Sequence, residues 1–142
     1  MGNSRRRTQP RGTQGRARLG LALTGLAVIA TGLAVHLVVP GVTGDFLGGS
    51  LYAVLACVAV ACVAPRRHPL TIGVIGFTLC ALVEFFQLTG VPLAMAGVFA
   101  PAALVFGTTF VPLDFVAYLV GAGGAAAGLA LVSTARFVRT TT

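Results

Sequence analysis

Four apolar runs of membrane-spanning length determine what this chain of 142 residues can fold into. They cover residues 19–39, 46–64, 70–88 and 113–132. The first run has 21 residues and would rise about 31 Å as a helix, which is enough to cross a bilayer. Because unpaired backbone groups are very unfavourable in lipid, each run is expected to be helical. The sequence therefore predicts an all-α membrane protein with four transmembrane helices.

Charged residues are scarce, and the basic ones lie at the ends of these runs. Apolar residues make up 56% of the chain and charged residues 9%, and all ten basic residues are arginines. Six arginines precede residue 19, and the others are Arg66, Arg67, Arg136 and Arg139. Basic residues confined to segment ends indicate membrane topology, and the apolar body argues against nucleic-acid binding. The predicted partner is thus the lipid bilayer.

The arginines also predict the orientation and the domain organisation. The N-terminal segment, the turn at residues 65–69 and the C-terminal segment hold all ten, which is the positive-inside pattern and places both termini in the cytoplasm. Residues 1–18 are polar and glycine-rich, so a disordered basic tail is expected there. The transmembrane domain covers residues 19–132, and residues 133–142 form a short tail. The preference for Arg over Lys, with abundant Ala and Gly, is typical of a GC-rich bacterial genome, so the predicted location is a bacterial cytoplasmic membrane.

Residues 89–112 are apolar but are not read as a fifth span. They are interrupted by Gly90, Pro92, Gly97, Pro101, Gly107 and Pro112. These interruptions would leave backbone groups unsatisfied in lipid unless protein covers them. A fifth span would also place the last two arginines on the opposite side from the others. We therefore expect an outer connection, partly re-entrant, with a short helix that begins near Pro101.

The chain has only three acidic residues, and the predicted topology brings them to one side of the membrane. Asp45 and Asp114 open spans two and four, and Glu84 lies about 6 Å from the outer end of span three. His36 is three residues from the outer end of span one. A carboxylate at mid-membrane costs about 3 kcal/mol on insertion scales, so such residues usually face a bundle interior. The sequence predicts one polar pocket open to the outside.

Helical spacing extends this pocket along the same helix faces. The full set of candidate ligand or proton residues is Glu84, Gln87, Asp45, Asp114, Tyr118, His36 and Tyr52. Three small residues of span four, Gly121, Gly124 and Gly128, are expected at positions where helices pack closely.

A purely structural role for these polar residues competes with ligand binding. Asp45 and Asp114 stand at predicted helix starts, where carboxylates act as caps and suit the helix dipole. Glu84 lies inside its helix, so it cannot be a cap. It is expected to be largely protonated at neutral pH unless it holds a bound cation, and then to donate a hydrogen bond within a network that includes Gln87 and extends to Tyr118.

Catalytic and metal-binding functions receive no support from spacing. His36 and the carboxylates are suitable ligand types, but no metal motif is present, so neither a metal nor a cofactor is predicted. No nucleophile motif, phosphate-binding loop or cofactor fingerprint occurs, which leaves enzymatic activity the least favoured function class.

Several short elements resemble a family of small bacterial membrane proteins, the domain of unknown function 2809. They are Gly44-Asp45, Leu51-Tyr52, Glu84-x-x-Gln87, the run from Leu104 to Gly107, and Asp114-x-x-x-Tyr118. More distantly, the chain resembles the VanZ proteins associated with glycopeptide resistance. Many members carry an arginine in the connection before the Leu-x-x-Gly element, whereas residues 89–112 hold no charge here. The resemblance implies a role in the cell envelope and names no reaction.

Three functions therefore remain open on sequence grounds. The first is an envelope-associated protein whose outer pocket binds a lipid, a wall-related molecule or an amphipathic ligand. The second is a proton- or cation-coupled transporter subunit that uses Glu84, within a homo-oligomer or with other membrane subunits. The third is a structural or assembly factor.

Overall fold

A computed structural model describes the backbone of residues 11–141 and the side chains of residues 15 and 19–135. This part of the chain is helical and contains no strand. The helices are α1 (Arg11–Val38), α2 (Gly41–Val63), α3 (Pro69–Gln87), α4 (Val91–Val98), α5 (Ala102–Phe106) and α6 (Asp114–Thr141). Four of them are long and apolar enough to cross a membrane, as the sequence predicted. The corresponding stretches are Leu19–Val38, Gly41–Val63, Pro69–Gln87 and Asp114–Ala135.

Both terminal helices extend beyond the predicted spans. Helix α1 begins at Arg11, so residues 11–18 are helical where a disordered tail was expected, and residues 1–10 lie outside the described part. Helix α6 likewise continues through the predicted C-terminal tail to Thr141. Once an apolar span has formed a helix, extension through Arg, Gln and Ala is favourable because nucleation is already complete.

The turn between α1 and α2 consists of only two residues, Val39 and Pro40. Gly41 follows with φ +72°, a conformation that residues with a side chain rarely adopt. Gly44 lies against the carbonyl oxygen of Val39 so closely that a Cβ would overlap it. Because α2 starts at Gly41, Asp45 is its fifth residue, and the N-cap Pro40 has no side-chain hydrogen bond. The predicted capping role of Asp45 is therefore wrong.

The turn between α2 and α3 is short and carries exposed arginines. His68 caps α3, because its Nδ1 accepts a hydrogen bond from the backbone N–H of Leu70 at 3.3 Å. Pro69 occupies the first helical position, where its missing N–H has no intrahelical partner to lose. Arg66 and Arg67 lie in this turn, exposed. The turn therefore ends α2 and starts α3 within five residues.

Helix α2 is the centre of the bundle, since it packs against α1, α3 and α6. Helix α3 also packs against α6. Five of the seven residues in the core between α2, α3 and α6 are Ala or Cys. The full set is Ala53, Cys57, Ala61, Ile72, Cys80, Tyr118 and Ala122. Small residues let helix backbones approach, which is the usual basis of association where lipid offers no hydrophobic drive.

Two glycines show how close this approach is. A Cβ on Gly121 of α6 would overlap the backbone carbonyl of Ser50 in α2. A Cβ on Gly73 of α3 would lie 3.2 Å from the carbonyl oxygen of Ala122 in α6. Gly121 therefore packs as the sequence predicted.

Gly124 and Gly128 do not pack against another helix of this chain. Both are exposed, and a Cβ at either position would meet nothing within 4 Å. The buried face of α6 runs through Tyr118, Ala122 and Leu129, and helical spacing places the two glycines to one side of it. For a single chain, the predicted packing role of these two residues is wrong.

Residues 89–112 form a connection with two short helices. Helix α4 has eight residues and α5 has five, so at 1.5 Å per residue neither can cross a bilayer. Helix α5 begins immediately after Pro101, as expected. Gly90 and Gly107 have φ +72° and +63°, and they mark the bends before α4 and after α5. The re-entrant character of this segment stays a prediction.

Candidate functional site

A cavity of about 590 Å³ lies at one end of the bundle. At this end α1 and α3 finish and α2 and α6 begin. All seven residues predicted for the polar pocket line it: His36, Asp45, Tyr52, Glu84, Gln87, Asp114 and Tyr118. Apolar side chains of α1 and α2 and the backbone region of residues 103–109 form the remaining walls. We call this space the acidic cavity.

Glu84 is the most deeply buried polar residue of the acidic cavity, with no exposed surface. Its Oε1 accepts a hydrogen bond from the hydroxyl of Tyr118 at 2.5 Å, and its Oε2 accepts one from the backbone N–H of Val111 at 3.3 Å. Both carboxyl oxygens therefore have a donor. Glu84 is 17 positions beyond Arg67, or about 25 Å along the helix, so that arginine cannot reach it. Among the described residues, His36 is the one basic side chain that lines the cavity.

Gln87 makes a different contact from the one expected. Its Nε2 donates a hydrogen bond of 2.8 Å to the backbone carbonyl of Phe106, so it does not join the network of Glu84. Gly107 permits this, because a Cβ there would overlap Nε2. The bond to a carbonyl also fixes the orientation of the amide. As a result Oε1 of Gln87 is buried and has no hydrogen-bond partner, an arrangement that is rare in folded proteins.

Side chains of α2 and α3 hold the connection over the acidic cavity. The hydroxyl of Tyr52 donates a hydrogen bond of 2.8 Å to the carbonyl oxygen of Val105. With the bonds of Glu84 and Gln87, three side chains attach to the backbone of residues 105–111. These contacts were not predicted from the sequence. Nearly every residue carries the same backbone N–H and C=O groups, so the residue type does not show which of them bonds to a side chain. The glycine at position 107 was the one available signal.

The two aspartates differ from Glu84 in their surroundings. Asp45 is exposed and Asp114 is half-buried beside Gly49 of α2. Asp114 lies in the first turn of α6, where the helix dipole favours a carboxylate. Within the described residues, neither aspartate side chain has a hydrogen-bond partner. Both carboxylates are therefore free to interact with a ligand or with water.

The described residues contain no group of three or more His, Cys, Asp or Glu side chains placed to hold a metal ion. Cys57 and Cys80 are buried in the helix core and unpaired, and Cys62 is partly buried. The acidic cavity itself is lined by three carboxyl groups and His36.

The fold is that of a multi-pass α-helical membrane protein, with a cavity at one end that carboxyl groups and apolar side chains line. The chain belongs to the family described as "Protein of unknown function (DUF2809)", whose family model matches residues 38–122. No curated protein and no solved structure matches this chain. The matched segment contains α2, α3, the connection and the start of α6, so it includes every predicted pocket residue except His36. The wall that α1 contributes lies outside the match.

Proposed function

We propose that this protein binds an amphipathic ligand, such as a lipid or a wall-related molecule, in the acidic cavity. The observation that carries the proposal is a cavity in which three carboxyl groups and an apolar wall meet, in the membrane-spanning part of the chain. A ligand with one polar end and one apolar end is complementary to such a space. The volume of about 590 Å³ falls within the range of ordinary small-molecule sites.

The cavity is proposed to face the outer side of the membrane. Arg66 and Arg67 lie in the turn between α2 and α3, at the end of the bundle away from the cavity. Short arginine-bearing loops usually stay in the cytoplasm, which would place the acidic cavity outside. This supports a role at the cell envelope, in a bacterial cytoplasmic membrane.

A matched pair of glycine variants tests ligand binding. Gly48 lines the acidic cavity, and a Cβ there would meet nothing within 4 Å. Gly48→Leu therefore adds a side chain to the cavity wall from a position where its Cβ meets no neighbour, and we expect it to occupy space that a ligand needs. Gly124→Leu adds the same side chain on an exposed face outside the cavity and is the control.

The binding measurement uses the protein in phosphatidylcholine liposomes and a panel of amphiphiles with cationic, zwitterionic, neutral and anionic heads. We expect saturable binding of at least one amphiphile to the wild type and to Gly124→Leu, and its loss in Gly48→Leu. Absence of saturable binding across the panel, or binding that Gly48→Leu leaves unchanged, would reject the proposal.

A second candidate function is proton or cation movement that depends on Glu84. It is favoured by one specific observation: a fully buried carboxyl group in the cavity wall, hydrogen-bonded to Tyr118 and placed within a predicted span. Proteoliposomes with an entrapped pH dye should then show a flux that Glu84→Gln abolishes and Asp45→Asn reduces less. Equal flux in the wild type and Glu84→Gln would exclude this function.

A further inference from the structure

We propose that the ligand of the acidic cavity presents a cationic head with N–H donors, which is the chemistry of a primary or secondary ammonium group. This inference rests on the proposed function, because it names the class of amphipathic molecule that the same cavity would take. It is carried by two observations: the buried side-chain atom left without a partner in the cavity wall, Oε1 of Gln87, is an acceptor, and the lining holds three carboxyl groups against one histidine.

Three side-chain donors of the cavity wall are already in use. The Tyr52 hydroxyl donates to the carbonyl of Val105, the Tyr118 hydroxyl donates to Glu84, and Nε2 of Gln87 donates to the carbonyl of Phe106.

Three acceptor groups of the lining remain unpaired. Oε1 of Gln87 is buried without a partner in a side chain that is only 9% exposed and lines the cavity. The carboxylates of Asp45 and Asp114 line the same space. A buried acceptor without a partner costs about 1–3 kcal/mol. A ligand N–H that reaches Oε1 would remove this penalty, and each bond that the ligand makes to a carboxylate is charge-assisted.

Charge disfavours the opposite class of head group. Three carboxyl groups line the cavity, and His36 is the one ionisable base among the described residues that accompanies them. An anionic head would lie beside the carboxylates of Asp45 and Asp114, which repel it. A phosphate next to an ammonium group would likewise find no arginine in the cavity wall. An amphipathic amine with a single positive charge therefore fits better than an aminophospholipid, although both present the same ammonium chemistry.

The apolar part of such a molecule has a matching surface. Val28, Ile29 and Leu33 of α1, Leu55 of α2 and Val83 of α3 line the cavity. Helix α1 packs mainly against α2. Its apolar residues therefore form one side of the cavity. An alkyl chain can lie along it while the head meets the acceptors.

The chain supplies its own reporter for this binding. It contains two tyrosines and no tryptophan, and both tyrosines line the acidic cavity with ring centroids 6.3 Å apart. Tyrosine emission therefore reports on the cavity without background from elsewhere in the chain. Titrations in phosphatidylcholine liposomes, with protein-free liposomes as the blank, give a binding constant for each amphiphile.

Three amphiphiles with the same twelve-carbon chain separate the contributions of charge and of N–H donors. Dodecylammonium has charge and donors, dodecyltrimethylammonium has charge alone, and dodecyl sulfate is anionic. We expect dodecylammonium to bind about tenfold or more tighter than dodecyltrimethylammonium, and dodecyl sulfate to bind weakest. Asp114→Asn should weaken dodecylammonium binding about tenfold, Gly48→Leu should abolish it, and Gly124→Leu should leave it unchanged.

The outcomes separate this inference from the proposed function. Equal affinity for the two cations, or tighter binding of the sulfate with loss in Gly48→Leu, overturns the ammonium assignment while the cavity remains a ligand site. No saturable binding of any of the three overturns both. Dioctanoyl phosphatidylethanolamine distinguishes a lipid from a free amine as the source of the ammonium head. If it binds as tightly as dodecylammonium, the ligand is assigned to a lipid. If it binds more weakly, the ligand is assigned to a free amine.

Discussion

The hydroxyl of Tyr118 donates a hydrogen bond of 2.5 Å to Oε1 of Glu84, which joins α6 to α3 across 34 positions of the chain. The bond is buried, and the second oxygen of the same carboxyl group accepts the backbone N–H of Val111. One side chain thus links two spanning helices and the end of the connection between them. Glu84 therefore contributes to the fold whether or not it also contacts a ligand, and the predictions below separate these contributions.

Replacing Tyr118 with Phe should destabilise the protein by about 1–3 kcal/mol, because Oε1 of Glu84 would be buried without its donor. Tyr52→Phe is the control, since it removes a hydroxyl from the same cavity but leaves only an exposed hydrogen bond unmade. We expect about 0.5–1.5 kcal/mol for that variant. Thermal unfolding in detergent micelles measures both, and a larger loss for Tyr52→Phe would contradict the assigned role of the Glu84–Tyr118 bond.

Two substitutions of Glu84 distinguish its structural role from a functional one. Glu84→Gln retains an oxygen that can accept the Tyr118 hydroxyl and leaves only the part-buried Val111 N–H without its acceptor, so it should fold and lose less stability than Glu84→Ala. Glu84→Ala leaves the Tyr118 hydroxyl and the Val111 N–H without a partner and should destabilise by about 1–3 kcal/mol. Unfolding curves and amphiphile binding should be measured on both variants.

The unfolding and binding measurements together distinguish a functional role of Glu84 from a structural one. If Glu84→Gln folds normally and loses binding or flux, the charge or the proton of Glu84 is required for function. If Glu84→Gln is silent and only Glu84→Ala is impaired, the residue is structural.

The contact of α6 with α2 should be intolerant of even one added methyl group at Gly121. Gly121→Ala places a Cβ into the backbone carbonyl of Ser50, so the two helices must separate. We expect a loss of about 1–3 kcal/mol. Gly124→Ala, three residues away with open space around it, should be neutral or stabilising by up to about 1 kcal/mol, because Ala favours a helix more than Gly does. Equal effects of the two substitutions would show that α6 does not pack on α2 as described.

Gly107 should be required for the end of the connection. Its φ of +63° and ψ of −173° lie in a region that is essentially restricted to glycine, and a Cβ would overlap Nε2 of Gln87. Gly107→Ala should therefore destabilise by about 1–3 kcal/mol and release the bond between Gln87 and Phe106. Gly97→Ala in α4, where nothing lies near the added Cβ, is the matched control. Faster hydrogen exchange of residues 105–111 in the first variant alone is the expected result.

Reporter fusions test the predicted topology. Fusions after Arg139 and within residues 65–69 should both report a cytoplasmic position, and a fusion within residues 89–112 should report an external one. A C-terminal fusion outside the cytoplasm would mean that the chain crosses the membrane an odd number of times after the N-terminus, and the proposed outward orientation of the acidic cavity would be lost.

Hydrophobic run length was sufficient to predict the four spans because any apolar stretch of about 20 residues must satisfy its backbone in lipid by forming a helix. The ends of the spans were predicted less accurately. Span two was expected from residue 46, but α2 begins at Gly41 because a glycine with positive φ allows the chain to reverse immediately after Pro40. The terminal helices were placed too short, since polar residues that continue a helix carry no hydrophobic signal.

The residues that line the cavity could be predicted from the sequence, but their hydrogen bonds could not. Three acidic residues and His36, near corresponding ends of the four spans, identified which part of the bundle holds the cavity. The partner of Gln87 could not be read from spacing, because Gln87 and Glu84 share a face of α3 yet bond to different parts of a folded connection. The roles of the α6 glycines could not be predicted either. Helical spacing groups them near one face, but it does not show which of them contacts another helix.

The sequence by itself determined the class of protein, the number of spans and the grouping of polar residues, because each depends on local hydropathy and on helix geometry. Only the tertiary structure decided that Tyr118 serves Glu84, that Gly121 packs while Gly124 does not, and that Oε1 of Gln87 is left without a partner. These facts depend on the relative rotation of helices and on the path of residues 89–112. Rotation and path are set by side-chain packing and backbone hydrogen bonds between segments far apart in the chain, which no single segment encodes.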